Sequence, residues 1–441
     1  MTKVRLPALL LALSVLWINP AHAQVQIDIN HPNVQPLPIA IPDFAGGTDQ
    51  EKSIGHQIAS VVSADLESSG LFRPIDPKAF IQTPDSLRVS VRFQDWKAIN
   101  AQALVQGDAQ FAADGHLRVE FRLWDVFAEN QMVGLAYNAQ ETGWRRIAHK
   151  IADEVYHRIT GEEGYFDTQI VYVSESGPLK KRITRLAIMD QDGQNNRYIT
   201  DGSDLVLTPR FSPNEREITY MSYYRETPRV YIMHLDNGRR ELLGDFPGMT
   251  FAPRFSPDSN KVIMSLALNG NSQIYELDLR TRRTTELTND PSINTSPCYS
   301  PDEKQITFES DRSGTQQIYV ANADGSNQTR ISFGDGRYSE PVWSPRGDLI
   351  AFTKQKGGEF YIGVMHPDGS GERLLAKGFL VEGPTWAPNG RVLAYTRQDP
   401  NDPSERYGTT KLYSIDLTGY NERKLVTPQD ASEPAWSPLL P

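Results

Sequence analysis

Cysteine is nearly absent: Cys298 is the single one in 441 residues. No internal disulfide can therefore form, and stability has to come from buried core. A basic excess is also missing, since 45 Lys and Arg stand against 55 Asp and Glu, a formal net charge of −10. That balance argues against a nucleic-acid partner, whose binders carry a basic patch or stripe. Beyond the first twenty residues no apolar run is long enough to span a bilayer. A G-x-S-x-G elbow is lacking, so a serine-hydrolase reading has no nucleophile signature, and Gly-rich phosphate loops are absent as well. The histidines are scattered. His149 and His157 share a predicted helix but stand eight apart, without the i, i+4 spacing of a zinc pair, and are expected to be surface or satisfied core residues. Asp190-Gln-Asp192-Gly193 opens like a calcium loop, but the sixth place holds Asn195 instead of glycine and the twelfth holds Asp201. A hairpin turn is the better expectation there. These absences leave no pointer to catalysis, to a metal or to a cofactor.

What is present is a beat. Pro209-Arg-Phe211-Ser-Pro213 recurs as Pro253-Arg-Phe255-Ser-Pro257, Pro297-Cys-Tyr299-Ser-Pro301 and Pro341-Val-Trp343-Ser-Pro345, then as Pro384-Thr-Trp386-Ala-Pro388 and Pro434-Ala-Trp436-Ser-Pro438. The intervals are 44, 44, 44, 43 and 50 residues, a period that belongs to solenoids, propellers or arrays. Each beat is followed by apolar strands, such as Gln305-Ile-Thr-Phe308 and Gln317-Ile-Tyr-Val320, then a turn such as Asp324-Gly325, then a short last strand such as Arg330-Ile-Ser332. Four strands per unit without helical stripes predict a β-propeller. Three strands near 169–200 lack a leading beat, and the final beat lacks its three strands. Pairing the two closes a ring of six blades and removes a free sheet edge. The first proline of each beat is expected where the innermost strand begins, and the aromatic is expected between blades. The residues before the first prolines, Thr208, Ala252, Ser296, Glu340, Gly383 and Glu433, are then expected at the entrance of the central tunnel, facing its mouth, with Met249 and Thr295 nearby.

The first 166 residues show no repeat. Lys3 and Arg5, an apolar stretch from Leu9 to Ile18 and Ala21-His22-Ala23 have the form of a cleavable signal peptide over 1–23. Residues 24–36 read as an extended segment in which Val25, Ile27 and Ile29 alternate with polar residues, either an edge strand or a strand seeking a partner's sheet edge. Residues 37–166 read as a two-layer α+β domain. Thr48-Asp-Gln-Glu51 is a capping box opening a helix that Gly70 stops. Val89, Val91 and Phe93 alternate as a strand would, as do Leu117, Val119, Phe121 and Leu123 behind the hairpin signal Asp114-Gly115. A second helix runs from about Trp144 to Thr160, and Gly161 ends it. The six-bladed propeller is assigned to 167–441.

This organisation resembles the TolB family, the periplasmic propeller proteins of the Tol–Pal system. The resemblance covers the leader, the β-prone stretch after it, the α+β domain, the repeated P-x-[FWY]-S-P-[DN] and the terminal Glu433-Pro-Ala-Trp-Ser-Pro438. It implies a non-enzymatic, monomeric periplasmic adaptor that links TolA to the outer-membrane lipoprotein Pal, serves outer-membrane invagination during division and preserves outer-membrane integrity. By the same resemblance TolA is held by Gln24, Val25, Gln26, Ile27, Asp28, Ile29 and Asn30. Pal is held at the propeller mouth by Met249, Ala252 and Thr295, where relatives can carry a histidine at the place of Met249. No cofactor, nucleic acid or membrane insertion is implied, while a cation resting in the tunnel is left open. The alternative reading is an exported, metal-dependent propeller enzyme, lactonase- or lyase-like, using tunnel carboxylates such as Glu340 and Glu433.

Overall fold

The computed structural model describes residues 35–213, 216–223, 228–244, 246, 248–268, 270–400 and 409–440. The signal-peptide and TolA-segment assignments, 1–23 and 24–30, fall outside the described residues.

The N-terminal sheet holds β1 (Leu37–Ala40), β2 (Phe72–Pro74), β3 (Ala103–Phe111), β4 (Leu117–Asp125) and β5 (Asn130–Ala139) in the order β2-β1-β3-β4-β5. β1 runs parallel to both β2 and β3, while β3, β4 and β5 are antiparallel. Helix α1 (Asp49–Ser68) starts at the predicted capping box: Thr48 Oγ1 accepts from the Glu51 amide, and Glu51 Oε2 accepts from the Thr48 amide at 2.8 Å. The other Glu51 oxygen accepts from the Phe111 amide at 2.7 Å, pinning the helix start to the end of β3. The region from 80 to 98 departs from expectation. Instead of a strand through Val89, Val91 and Phe93, two short helices form, α2 (Pro84–Val89) and α3 (Phe93–Ala98). Thr83 caps the first, with Pro84 pre-set for a first helical turn. Three alternating residues are too few to outweigh that start signal, and it is Trp96 that is buried, its Nε1 donating to Gln82 at 3.0 Å. These helices cover part of the sheet face opposite α1 and α4 (Trp144–Thr160), packing on Ala40 and Leu104. Gly161, at φ 76°, ends α4 as expected.

The rest is a six-bladed propeller, each blade four antiparallel strands. The inner strands are Val206–Phe211, Met249–Phe255, Asn294–Tyr299, Arg337–Trp343, Leu380–Trp386 and Asp430–Trp436, numbered here as blades 1 to 6. Blade 6 is completed by Gln169–Ser176, Ile183–Asp190 and Arg197–Tyr198, with Asp430 opposite Glu175 and Trp436 opposite Ile170. The ring therefore closes between chain end and residue 170. The outermost strand predicted at Arg330–Ser332 is shorter and begins earlier, at Thr329–Arg330. The apolar residue after it, Ile331, is buried, its amide still donating to Ile318 O of the third strand at 2.9 Å.

One correction matters for the site. The first proline does not start the inner strand; the strand begins three or four residues earlier and the proline sits inside it. In all six blades the ladder skips there, as between Phe251 and Arg254 or Ser432 and Ala435. Proline has no amide to donate, so a bulge is one of the few places a sheet tolerates it.

The two regions share one apolar core. Tyr156, Tyr165 and Phe166 pack with Ala387, Val392, Leu412 and Trp436, and Trp436 Nε1 donates to Thr168 Oγ1 at 2.8 Å. Replacing Trp436 with alanine empties this joint and loosens the closing strand. It should lower unfolding free energy by about 3–5 kcal/mol in chemical denaturation; an unchanged midpoint would show that closure does not depend on this side chain.

Candidate functional site

The residue before each bulge proline adopts a left-handed backbone: Thr208, Ala252, Ser296, Glu340, Gly383 and Glu433 have φ between 49° and 64°. L-residues avoid positive φ, and a following proline normally pushes its predecessor to extended conformations. Six repetitions therefore need a common stabiliser, and the amide of this residue supplies one. In five of the six blades it leaves the ladder and is taken by a side chain of the neighbouring blade. Ser265 Oγ accepts from Ser296 at 3.1 Å, Glu309 Oε2 from Glu340 at 2.9 Å, Glu340 Oε2 from Gly383 at 2.8 Å and Thr396 Oγ1 from Glu433 at 2.9 Å. Glu433 in turn accepts from the Thr208 amide. Before Ala252 the second strand of blade 1 offers only Met221, and no side chain takes the Ala252 amide among the described residues.

The sequence placed these residues at the tunnel entrance; they lie deeper, at mid-strand, half-buried along the axis. The entrance is lined four residues before the proline. There Leu205, Met249 and Ile293 are 43%, 45% and 46% exposed. Three consecutive blades thus carry an exposed aliphatic side chain at one place. Of the residues assigned to Pal, Met249 stands in this crescent. Ala252 lies below it on the same strand, and Thr295 lies on the next inner strand, buried, donating to Glu309. The structure brings these three together on adjoining strands.

Two carboxylates escaped the sequence reading. Glu309 lies on the second strand of blade 3, and Glu382 occupies the same place in blade 5 as Thr295 in blade 3. Aligning the six repeats by their prolines would have exposed Glu382, since that place otherwise holds Leu207, Phe251, Thr295, Ser339 and Ser432. Burial, then the charges of Glu340 and Glu433, push Glu382 up to about 7. Burial also raises Glu433 and Glu309, against the hydrogen bonds they accept. No three of these tunnel carboxylates bring ligand atoms within 4.8 Å of one another; among the described residues only Asp65, His149 and Asp192 do. That group lies at the joint between the two regions, and its negative charge is already matched. Arg145 pairs with Asp192, Gln191 donates to Asp65 at 2.9 Å, and His149 Nδ1 meets Asp65 at 2.6 Å. Burial opposes the charge on His149, but the charge and hydrogen bond of Asp65 prevail and lift it to about 9. The group is thus an ion network in which His149 Nε2 stays buried without a hydrogen-bond partner, so the expectation of a satisfied core histidine holds only at Nδ1. At 190–193 the predicted turn forms, with Gly193 at φ 86°.

Fold and axial site define a six-bladed propeller with an appended α/β domain and an apolar-rimmed mouth. Family models for the TolB amino-terminal domain and the TolB beta propeller domain match residues 25–132 and 156–440. The chain is 68% identical over 434 residues to the Tol-Pal system protein TolB of Paramagnetospirillum magneticum, covering 98% of this chain and 97% of that one. The crystal structure of TolB from Acinetobacter baumannii superposes with a TM-score of 0.81 at 28% identity, over 94% of this chain and all of the other. A chain of the nidogen/laminin complex shares the propeller fold alone, with a TM-score of 0.50 at 9% identity over 61% of this chain and 98% of that one. The chain belongs to the TolB family of the Tol–Pal system.

Because the folded state raises Glu382 above an ordinary 4.5, it binds that proton more tightly than the unfolded state does. This group's contribution to stability therefore falls as pH rises from about 4.5 to about 7. Glu382→Gln should remove the slope and leave the variant more stable at pH 8 by on the order of 2 kcal/mol. Thermal melts from pH 4 to 8 with parallel curves for both proteins would contradict it.

Proposed function

We propose that this chain is a non-catalytic periplasmic adaptor that holds Pal at the propeller mouth and TolA through residues 24–30. In this role it supports outer-membrane invagination during division and outer-membrane integrity. The observation that carries the reading is the crescent of Leu205, Met249 and Ile293 around the mouth. Exposed aliphatic residues repeated at one place are not needed by the ring, whose apolar surface is already buried between blades, and such rimmed patches mark protein docking sites. The N-terminal domain leaves this face clear. Its contacts, Glu162 with Arg346, Glu163 with Asn389 and Ser68 with Asn421, lie at the other end of the tunnel. Ala252, whose amide no side chain occupies, and Thr295 sit just inside the crescent, where an inserted loop of the partner would find them. Family membership supports a role in the Tol–Pal system, and no described helix is long and apolar enough to cross a membrane. That suits a protein bridging two membrane-anchored partners. The alternating Val25, Ile27 and Ile29 suit addition of a strand to the sheet edge of TolA.

Affinity capture separates the two functions. Removing residues 24–30 should abolish TolA capture and leave Pal capture intact. Leu205→Asp combined with Ile293→Asp should weaken Pal binding at least about tenfold, because each charge would be desolvated in the interface, with TolA capture unchanged. Retention of both partners by both variants would defeat the assignment.

A further inference from the structure

The opposite end of the tunnel holds a second, chemically different site. Here the residues after the bulge line an axial cavity of about 410 Å³ to which all six blades contribute. Its wall is built from the aromatic and the second proline of each repeat, so it is rigid and apolar. Its axis-facing ring is the residue between first proline and aromatic: Arg210, Arg254, Cys298, Val342, Thr385 and Ala435. Four of these are small or apolar. The two arginines stand together on adjoining blades.

Those arginines lack the counter-charge that half-buried guanidinium groups need. Arg210 Nη1 donates to its neighbour's carbonyl, Pro209 O, at 2.6 Å, and no ion pair within 4.0 Å holds either arginine among the described residues. No hydrogen bond from the Arg254 guanidinium is found there either. Burial and the adjacent charge of Arg254 depress Arg210 to about 10, with Glu433 and Glu340 opposing from farther up the axis. Both guanidinium groups keep free donors at the cavity they line.

We propose that this funnel is a binding site for a carboxylate carried on a small apolar body, which enters carboxylate-first and is gripped by Arg210 and Arg254. The planar donor fork of arginine matches a carboxylate in two-point contact. The volume lies within the range of small-ligand pockets, and the proline and aromatic wall suits an apolar body while a few polar groups fix its orientation. Purely inorganic anions would leave that wall uncovered. The carboxylate acids of the tunnel lie on the mouth side of the arginines, so an anion entering from this end meets positive charge first. Two sources share the chemistry: a free short-chain fatty acid, and the C-terminus of an apolar peptide.

The full mature chain is titrated with octanoate, with the acetylated tripeptide Ala-Pro-Phe bearing a free C-terminus, and with the amide of each. Calorimetry and the fluorescence of Trp343, Trp386 and Trp436, which line the funnel, are read together. At least one acid should bind at least about tenfold more tightly than its amide, as expected when a charge-assisted hydrogen-bonded pair is lost. Arg254→Gln should erase that preference, and Leu205→Asp at the far mouth should not change it. Octanoate alone binding assigns the free acid, and the tripeptide alone assigns a chain terminus. Equal binding of acid and amide, or no binding of either acid at millimolar concentration, overturns the proposal. The comparison of acid with amide on the unaltered protein stands even if Arg254→Gln fails to fold, and Pal capture measured alongside keeps the mouth reading separate.

Discussion

Everything in this molecule depends on the pairing of Asp430–Trp436 with Gln169–Ser176. Six wedge-shaped blades bury their faces against one another only if the ring shuts, and an open ring would expose two sheet faces and two edges. The closing strand is also the one that meets the N-terminal domain. Trp436 reaches past its own blade to Thr168 and stacks edge-on with Tyr165 at 6.0 Å. Ser437 then pairs with Gln169, and Leu440 with Asp167. Closure and part of the domain attachment thus share one set of contacts, and a contiguous core runs from α1 through α4 into blades 5 and 6.

Within that ring, the bulge determines what the axis can carry. A strand without it would place one residue per repeat on the tunnel wall and pair every amide. The inserted residue frees an amide in each blade, and in five of the six the neighbouring blade answers with an acceptor. Glutamate, serine and threonine do so, which is why acids gather at mid-axis although they repel one another. The cost shows in Glu382, close to neutral pH in its affinity for a proton, and in the rise of Glu433 and Glu309. Past the bulge the acceptors stop and the arginines begin. The axis is therefore polarised, with an aliphatic crescent outside, carboxylates in the middle and guanidinium groups toward the N-terminal domain.

How much of this could be read from the chain follows from how far apart the interacting residues are. The blades were legible because each is local, with turn residues and strand patterns recurring within 44 residues. Closure was legible because the orphan strands at one end and the orphan beat at the other complete each other. The capping box at Thr48 and the αL stop at Gly161 are local too, and both form. The short helices α2 and α3 were misread because their signal, Thr83-Pro84, competes with an accidental alternation of three residues. The bulge was not legible, since the rule for residues before proline points away from left-handed φ, and the acceptors that answer it in five of the six blades come from a neighbouring blade. The His149–Asp65 pair joins residues 84 apart in sequence and owes its existence to the packing of α1 on α4.

That pair also shows why the buried ionic groups here are better understood as joints than as reactive centres. His149 and Asp65 are both almost completely buried, and a buried pair gives little net stability relative to apolar residues while making the loss of either partner costly. What it supplies is orientation. Gln191 in the propeller completes the hydrogen bonding of Asp65, so helix packing in one region and turn position in the other satisfy the same carboxylate. Arg145 acts similarly on Asp192. These contacts fix the N-terminal domain against the rim of one end of the ring, where no described residue of it lines the funnel, and leave the mouth clear. Under the proposed adaptor role, such fixed geometry keeps the two partner-facing surfaces in a constant relation.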